Sequence, residues 1–293
     1  MSFHFIKLRK YWYLLSILII LPGLISLAIP GRGLNRGIDF TGGNILEIRY
    51  TQPVAVENVR EAVSALGLEA SRGIQQSGEN DYLVRTRYLS QEESDKLLAE
   101  LEKPGKYEIL RNESVGPVIG RELTYKAILA LIIASILMVV YITIRFEFKQ
   151  GLAAILALIH DTLIVTGIFS LFQIEIDSAF IAAILTIIGY SINDTIVIFD
   201  RIRENMRSRA KGESLEDLVN KSLWQTLARS LNTVLTVVFV LVALYYLGGS
   251  TIHNFVLALL IGVVSGAYSS IFNASPLWVD FKLLEKRGAA KAA

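Results

Sequence analysis

Cysteine is absent from the 293 residues, which excludes disulfide bridges, thiolate metal sites and a cysteine nucleophile. Histidine is scarce as well. His4, His160 and His253 lie far apart and show no metal-ligand spacing. Charge is thin, at 19% of residues, and nearly balanced, with 29 Lys and Arg against 27 Asp and Glu. A net charge of +2 is too small to point to nucleic acid, so the basic residues matter by position rather than by sum. What is left is apolar: 53% hydrophobic residues and a mean hydropathy of +0.47. That is too apolar for an ordinary soluble domain and indicates an integral membrane protein.

Apolar runs of about 20 residues, the length that spans a bilayer, predict six membrane helices near 11–30, 124–144, 151–172, 178–199, 229–247 and 254–275. Lys7, Arg9 and Lys10 precede the first. It is longer than a signal-peptide core and has no Ala-x-Ala-like site after Pro30, so it reads as a retained signal anchor. Orientation follows from the loops. Arg145 and Lys149 follow helix 2. Arg201, Arg203, Arg207, Arg209, Lys211 and Lys221 lie in a loop over 200–228, and Lys282, Lys286, Arg287 and Lys291 in a tail over 280–293. The loops 173–177 and 248–253 contain neither Lys nor Arg. Both termini are therefore expected in the cytoplasm and residues 31–123 on the outer face of the membrane.

That outer segment alternates between period-2 and helical patterns. Strand patterns at 44–50, 73–76, 81–89 and 106–115 alternate with two helices. The first helix carries Val56, Val59, Val63 and Leu66 ahead of Gly67. The second opens on a Ser90/Glu93 capping box before Leu97, Leu98 and Leu101. The order β-α-β-β-α-β is the ferredoxin-like plan, a scaffold that implies no chemistry by itself. GIDFTGG at 37–43 has no Lys in the P-loop position and no following helix, so its glycines read as a turn into the sheet. The predicted fold class is thus a polytopic α-helical membrane protein with six transmembrane helices over 1–30 and 124–279. One exported α+β domain, residues 31–123, lies between the first two.

The run GYSINDTIVIFDRIREN, residues 189–205, places Asn193 and Asp194 inside a membrane helix, and Asp161 lies mid-helix beside His160. Ionised groups there cost about 2.5–3.5 kcal/mol at a helix centre, so they should face a bundle interior or a wet cavity. On helix 5, Arg229, Asn232, Thr233 and Thr236 fall on one face. Asn193, Asn232, Thr233 and Thr236 are candidate uncharged partners for Asp194, and Arg229 a basic one. A carboxylate poised between desolvation and a cation is a proton-binding switch. The structural alternatives are a purely hydrogen-bonding Asp194, a His160–Asp161 packing pair and an Arg229 that snorkels to the interface. Gly189, Gly262 and Gly266 are candidate close-packing positions, with Ser265, Ser269, Ser270 and Asn273 near the last two. Ser214, Leu215, Asp217, Leu218, Val219, Ser222 and Trp224 predict an amphipathic helix lying on the membrane surface.

These motifs, GIDFTGG (37–43), HD (160–161), GYSINDTIVIFDRIREN (189–205), QTLARSLNT (225–233) and GGSTIHNFVLALLIGVVSGAYSS (248–270), stand in one order around six spans and one exported domain. So arranged, the chain resembles the SecF branch of the SecD/SecF family, protein-export subunits related to RND transporters, over nearly its whole length. The resemblance implies a place in a bacterial inner membrane, pairing with SecD, six helices from each, and work beside the SecYEG translocon, with YajC as a further partner. It also implies use of the proton gradient in late export of unfolded polypeptide, with Asp194 proton-sensitive and Arg229 its basic counterpart; Asp161 is a further relay candidate from its own place mid-helix. No cofactor or metal is implied, the coupling ion being the proton with sodium left open. Membrane lipid is the remaining partner and nucleic acid is not one. Sliding of the bundle is expected along helix 6.

Three competing functions remain at this point. An intramembrane aspartyl protease would use Asp161 and Asp194 as a pair, but the YD and GxGD contexts are missing and the depths differ by about 8 Å at 1.5 Å per residue. An RND-type small-molecule efflux half-transporter would need more than one small exported module. A passive structural subunit would tolerate loss of the Asp194 carboxylate.

Overall fold

The computed structural model describes residues 3–68, 74–76 and 78–292, with side chains throughout except at 250 and 286–292. Gly73 of the second predicted strand and the side chains of Lys286, Arg287 and Lys291 lie outside that description. Two compact units form, one of residues 36–129 and the other of 1–35 with 130–293.

In chain order the elements are α1 (Arg9–Ala28), β1 (Gly43–Tyr50), α2 (Val56–Ser64), β2 (Ile74–Gln76), β3 (Asp81–Thr86), α3 (Gln91–Glu102), β4 (Tyr107–Val115), α4 (Pro117–Arg145), α5 (Phe148–Leu171), α6 (Ser178–Arg207), α7 (Leu215–Leu247) and α8 (Ser250–Ser269). A π-helical turn (Ser270–Ala274) then leads into α9 (Ser275–Ala292). Among the described residues six helical stretches are long and apolar enough to span a membrane: α1, α4, α5, α6, α7 and the continuous run Thr251–Glu285.

The four strands form one sheet in the order β2-β3-β1-β4, antiparallel at every pairing, which is the ferredoxin-like order. Leu46, Ile48 and Tyr50 of β1 and Tyr82 and Val84 of β3 pack under Val59 and Val63 of α2 and Leu97 and Leu101 of α3. The two β1 neighbours make this the most buried strand, and its Tyr50 hydroxyl donates to the Leu101 carbonyl at 2.8 Å. Burial pushes the Tyr50 phenol up to about 12. The residues GIDFTGG make a single helical turn over Ile38–Thr41 and then Gly42 and Gly43, both at positive φ (72° and 140°). A Cβ on Gly43 would lie 2.7 Å from the Thr86 carbonyl oxygen, so only glycine enters the sheet here.

The capping box forms at α3: Ser90 Oγ accepts from Glu93 N–H, and the Glu93 carboxylate accepts from Ser90 N–H. Arg87 at 2.6 Å, with Ser90, holds the Glu93 carboxyl down to about 2. The folded value is depressed, so the cap stabilises α3 above the ordinary carboxylate range near 4.5 and is lost as pH falls through about 2. Carbon NMR of the Glu93 carboxyl should therefore show a midpoint well below that of an ordinary glutamate. Ser90→Ala should raise that midpoint and destabilise the domain by about 1 kcal/mol.

The first membrane helix packs inside-out relative to a helix of a soluble bundle. The buried residues of α1 are Ser16, Gly23 and Ser26, while Ile17, Leu18 and Ile25 are exposed. Small residues suit helix contacts where lipid already solvates the apolar ones. A Cβ on Gly23 would sit 2.5 Å from Gly167 Cα, so α1 and α5 cross with backbones touching, and Ser26 bonds Ser170 at 2.9 Å one turn along. On α6 and α8 the spacing of four repeats on both sides: Gly262 against Ile187, Gly266 against Ser191, and Ser270 bonded to Thr195 at 2.8 Å. A Cβ would come within 2.2 Å of Ile187 Cδ1 at Gly262 and 2.9 Å of Ser191 Cβ at Gly266. The seam is tightly filled, so the easy sliding expected along this helix meets the Ile187 and Ser191 side chains seated on the two glycines. Gly189 needs correction as a packing position. It is exposed, and a Cβ there meets nothing within 4 Å. Gly189→Ala should change stability by less than about 0.5 kcal/mol, whereas Gly262→Val should cost about 1–3 kcal/mol of overpacking; both are readable as detergent thermal-melt shifts.

The surface helix predicted at 214–224 is likewise corrected. It is the first part of α7, capped by Ser214, and Leu215, Leu218, Val219 and Leu223 are buried with Phe5, Ile6, Ile202, Trp278 and Val279. The chain start completes that end. Phe5 N–H donates to Asn220 Oδ1 at 2.8 Å, and Arg9 bridges Glu216 and Asp280 at 2.8 Å each. The apolar face of the predicted amphipathic helix thus has protein rather than lipid to bury against.

Candidate functional site

The membrane acids occupy two different centres. Asp161 of α5 is 1% exposed. Its Oδ1 accepts from Ser265 Oγ at 2.7 Å and lies 3.0 Å from His160 Nδ1. Its Oδ2 accepts from Ser191 and Ser269, both at 2.7 Å. One carboxyl group therefore ties α5 to α6 and α8, with all four of its lone-pair sites used. The cluster continues outward from His160, whose Nε2 lies 3.1 Å from Ser16 Oγ on α1.

Asp194 of α6 is under-satisfied by comparison. Its Oδ1 accepts from Ser230 of α7 at 2.5 Å, while Oδ2 is buried with no hydrogen-bond partner. Beside it lies a cavity of about 130 Å³, lined by Tyr190, Asn193, Asp194, Val197, Arg229, Thr233 and Val234. That volume admits a few water molecules. Arg229 shares the cavity, yet no ion pair joins the two within 4.0 Å among the described residues. Asn193 lines the cavity without bonding Asp194. A carboxylate beside a small polar cavity, with one oxygen anchored and the other buried without a partner, has a free site for a proton at the second oxygen.

The predicted helix-5 stripe divides. Asn232, Thr233 and Thr236 are exposed, and the two threonine hydroxyls donate to their own helix, to the Arg229 and Thr233 carbonyls at 2.9 and 2.8 Å. The buried face of α7 is Thr226, Ser230, Val234 and Leu241. The stripe is expected to look into the bundle; here only Arg229 and Thr233 reach its edge, at the Asp194 cavity, and no other helix among the described residues covers Asn232 and Thr236. Ser230, the actual partner of Asp194, falls beside the stripe, and the sequence offered no signal for it beyond its adjacency to Arg229. Asp161 and Asp194 do not meet. Ser191, which Asp161 holds, is three residues before Asp194 on α6, and the two carboxyl groups share no hydrogen bond among the described residues. That removes the geometry an aspartyl-protease dyad requires.

The family model "Protein export membrane protein SecD/SecF, C-terminal" matches residues 94–284, and "SecD/SecF GG Motif" matches residues 27–54. Protein translocase subunit SecF of Thermobaculum terrenum is 45% identical, covering 98% of each chain. Its counterpart from Sebaldella termitidis is 44% identical over 94% of this chain and 91% of that one. Protein translocase subunit SecDF of Bacillus subtilis is 41% identical over 95% of this chain, which spans 38% of that longer protein. Among solved structures, the crystal structure of SecDF from Thermus thermophilus, a translocon-associated membrane protein, superposes with a TM-score of 0.87 at 37% identity. It covers 96% of this chain and 39% of that one.

Proposed function

Because the chain belongs to the SecD/SecF family of protein-export membrane proteins, we propose that it is the SecF-type subunit of the Sec protein translocase and couples proton entry at Asp194 to late export of polypeptide. The observation behind this reading is the half-satisfied Asp194 carboxylate facing a polar cavity shared with Arg229. Protonation of Oδ2 removes the charge that Arg229 balances across the cavity, and α6 and α7, joined there by Ser230, then favour a different packing. Each proton moved is worth about 2.3 kcal/mol per 100 mV, enough to bias a conformational equilibrium of a few kcal/mol.

SecD is the proposed partner. The exposed polar face of α7 supports this, since Asn232, Thr233 and Thr236 beside Arg229 would be costly against lipid and suit a second helix bundle. Relatives that carry both names in one chain, such as SecDF of Bacillus subtilis, fit the same reading. The clustering of Lys and Arg at one end of the spans supports a cytoplasmic position for that end, with residues 36–129 on the outer side, where emerging polypeptide would be handled. Docking to SecYEG and YajC follows from the same assignment.

The reading is tested by following completion of export of a stalled secretory polypeptide in energised spheroplasts, with the chain present or depleted. Completion should accelerate with the gradient only when the chain is present. Equal gradient dependence in its absence would remove the proposal.

A further inference from the structure

The geometry points to the His160–Asp161 pair as a second proton-binding site of the bundle: one proton shared between Asp161 Oδ1 and His160 Nδ1, with α1 latched to it through Ser16. This deepens the reading above and depends on it only for what the site would serve.

The proton count follows from hydrogen-bond donors and acceptors, starting at the outer end of the cluster. Tyr268 O–H donates to the Trp12 carbonyl at 2.9 Å, and a carbonyl only accepts, so the Tyr268 proton is committed there. Ser16 Oγ lies 3.2 Å from Tyr268 Oη and 3.2 Å from Asn273 Oδ1. Both atoms are then acceptors toward Ser16, and its single proton goes to one of them. Asn273 Nδ2 donates to Ser16 Oγ at 3.0 Å. With the Ser16 proton directed to Asn273 Oδ1, Ser16 is an acceptor toward His160 Nε2 at 3.1 Å, which places a proton on Nε2.

The other ring nitrogen, Nδ1, faces Asp161 Oδ1 at 3.0 Å. Two lone pairs would meet there unless a proton lies between them. It can sit on the imidazole, giving an imidazolium beside a carboxylate, or on the carboxyl group beside a neutral imidazole. Both forms are neutral overall, which suits a site 1% exposed at Asp161 and 8% at His160. Both also keep Ser265, Ser191 and Ser269 bonded to the carboxyl oxygens.

The groups facing the pair are Ser16 from α1, Ser191 from α6, and Ser265, Tyr268 and Ser269 from α8; Asn273 of the π turn reaches it through Ser16. Tyr268, stacked on the His160 ring at 5.9 Å, is the one titratable neighbour in that set. Among the described residues no Lys or Arg pairs with Asp161 within 4.0 Å, so the imidazole is the cation within reach.

Loss of the shared proton as pH rises leaves Asp161 Oδ1 against the Nδ1 lone pair. The imidazole then turns away and Ser16 loses its donor, so one of the polar contacts that join α1 to α5 is made when the site is protonated and lost when it is not, one helical turn along α6 from Asp194.

Nitrogen NMR of ¹⁵N-histidine-labelled full-length protein in lipid bilayers tests this, with His4→Gln and His253→Gln leaving His160 as the one signal. The expected spectrum keeps Nε2 protonated throughout, while Nδ1 passes from hydrogen-bonded to bare as pH rises. Asp161→Asn should abolish that titration and leave neutral, Nε2-protonated imidazole. If His160 instead stays the neutral Nδ1-protonated tautomer across the range, Ser16 is its donor, Asp161 is a fixed anion and the inference fails. The wild-type series decides the matter even if Asp161→Asn does not accumulate. The signal reports the pair directly, so it is independent of whether substitution at Asp194 alters export.

Discussion

Asp194→Asn is expected to leave the bundle assembled and to lower the gradient-dependent part of export by more than tenfold. The replacement amide keeps an oxygen for Ser230, which bonds Asp194 Oδ1 at 2.5 Å, and its nitrogen enters the cavity where the carboxylate oxygen has no partner. Folding therefore loses little. What is lost is the ability to change charge. One proton crossing 100 mV gives about 2.3 kcal/mol, close to a 50-fold bias at 1.36 kcal/mol per factor of ten, and a neutral side chain forfeits all of it. Export driven without the gradient should be unchanged, which separates this outcome from general damage. Full retention of gradient-dependent export would make Asp194 a structural residue.

Asp161→Ala is expected to do the opposite: to prevent accumulation of folded protein rather than to uncouple it. Three serine hydroxyls and an imidazole converge on that carboxyl group, from α5, α6 and α8 together. Removing the shared acceptor leaves the buried Ser191 and Ser265 hydroxyls and the Nδ1 side of His160 unmatched, and Ser269 with only the Gly266 carbonyl at 3.2 Å, in a bundle tightly packed at Gly262 and Gly266. Breaking a buried polar pair by deleting one partner costs about 3–5 kcal/mol, a large part of a typical domain's stability. Membrane-fraction yield and detergent melting should both fall for Asp161→Ala, while Asp194→Ala remains near wild type in both. Similar yields for the two variants would show that the cluster is not what holds α5, α6 and α8 together.

The spans, the β-α-β-β-α-β order and the capping box were legible because each rests on local signals: run length, period and Ser90 three residues ahead of Glu93. That the membrane acids face polar groups inside the bundle was legible for the same reason, since charge in hydrocarbon is costly wherever it occurs. Their partners were not. Ser191, Ser230, Ser265 and Ser269 come from helices distant in sequence, and serine is too common in membrane helices to stand out. The stripe at Arg229, Asn232, Thr233 and Thr236 has the right period, but a period says which residues share a face and not what the face meets. The segment 214–224 failed similarly: an apolar face reads alike whether lipid or Trp278 and Phe5 cover it. Gly189 looked like Gly262 in sequence; only the neighbouring helix distinguishes them.

The central claim, that Asp194 gains and loses a proton in the membrane, is tested most directly by isotope-edited infrared difference spectroscopy. The full-length chain would be reconstituted with its partner, labelled at aspartate carboxyl carbons, and compared between acidic and alkaline buffer against Asp194→Asn. The account predicts a protonated-carboxyl band that appears on acidification in the unsubstituted protein and is missing from the variant. An identical difference spectrum in both proteins would contradict it.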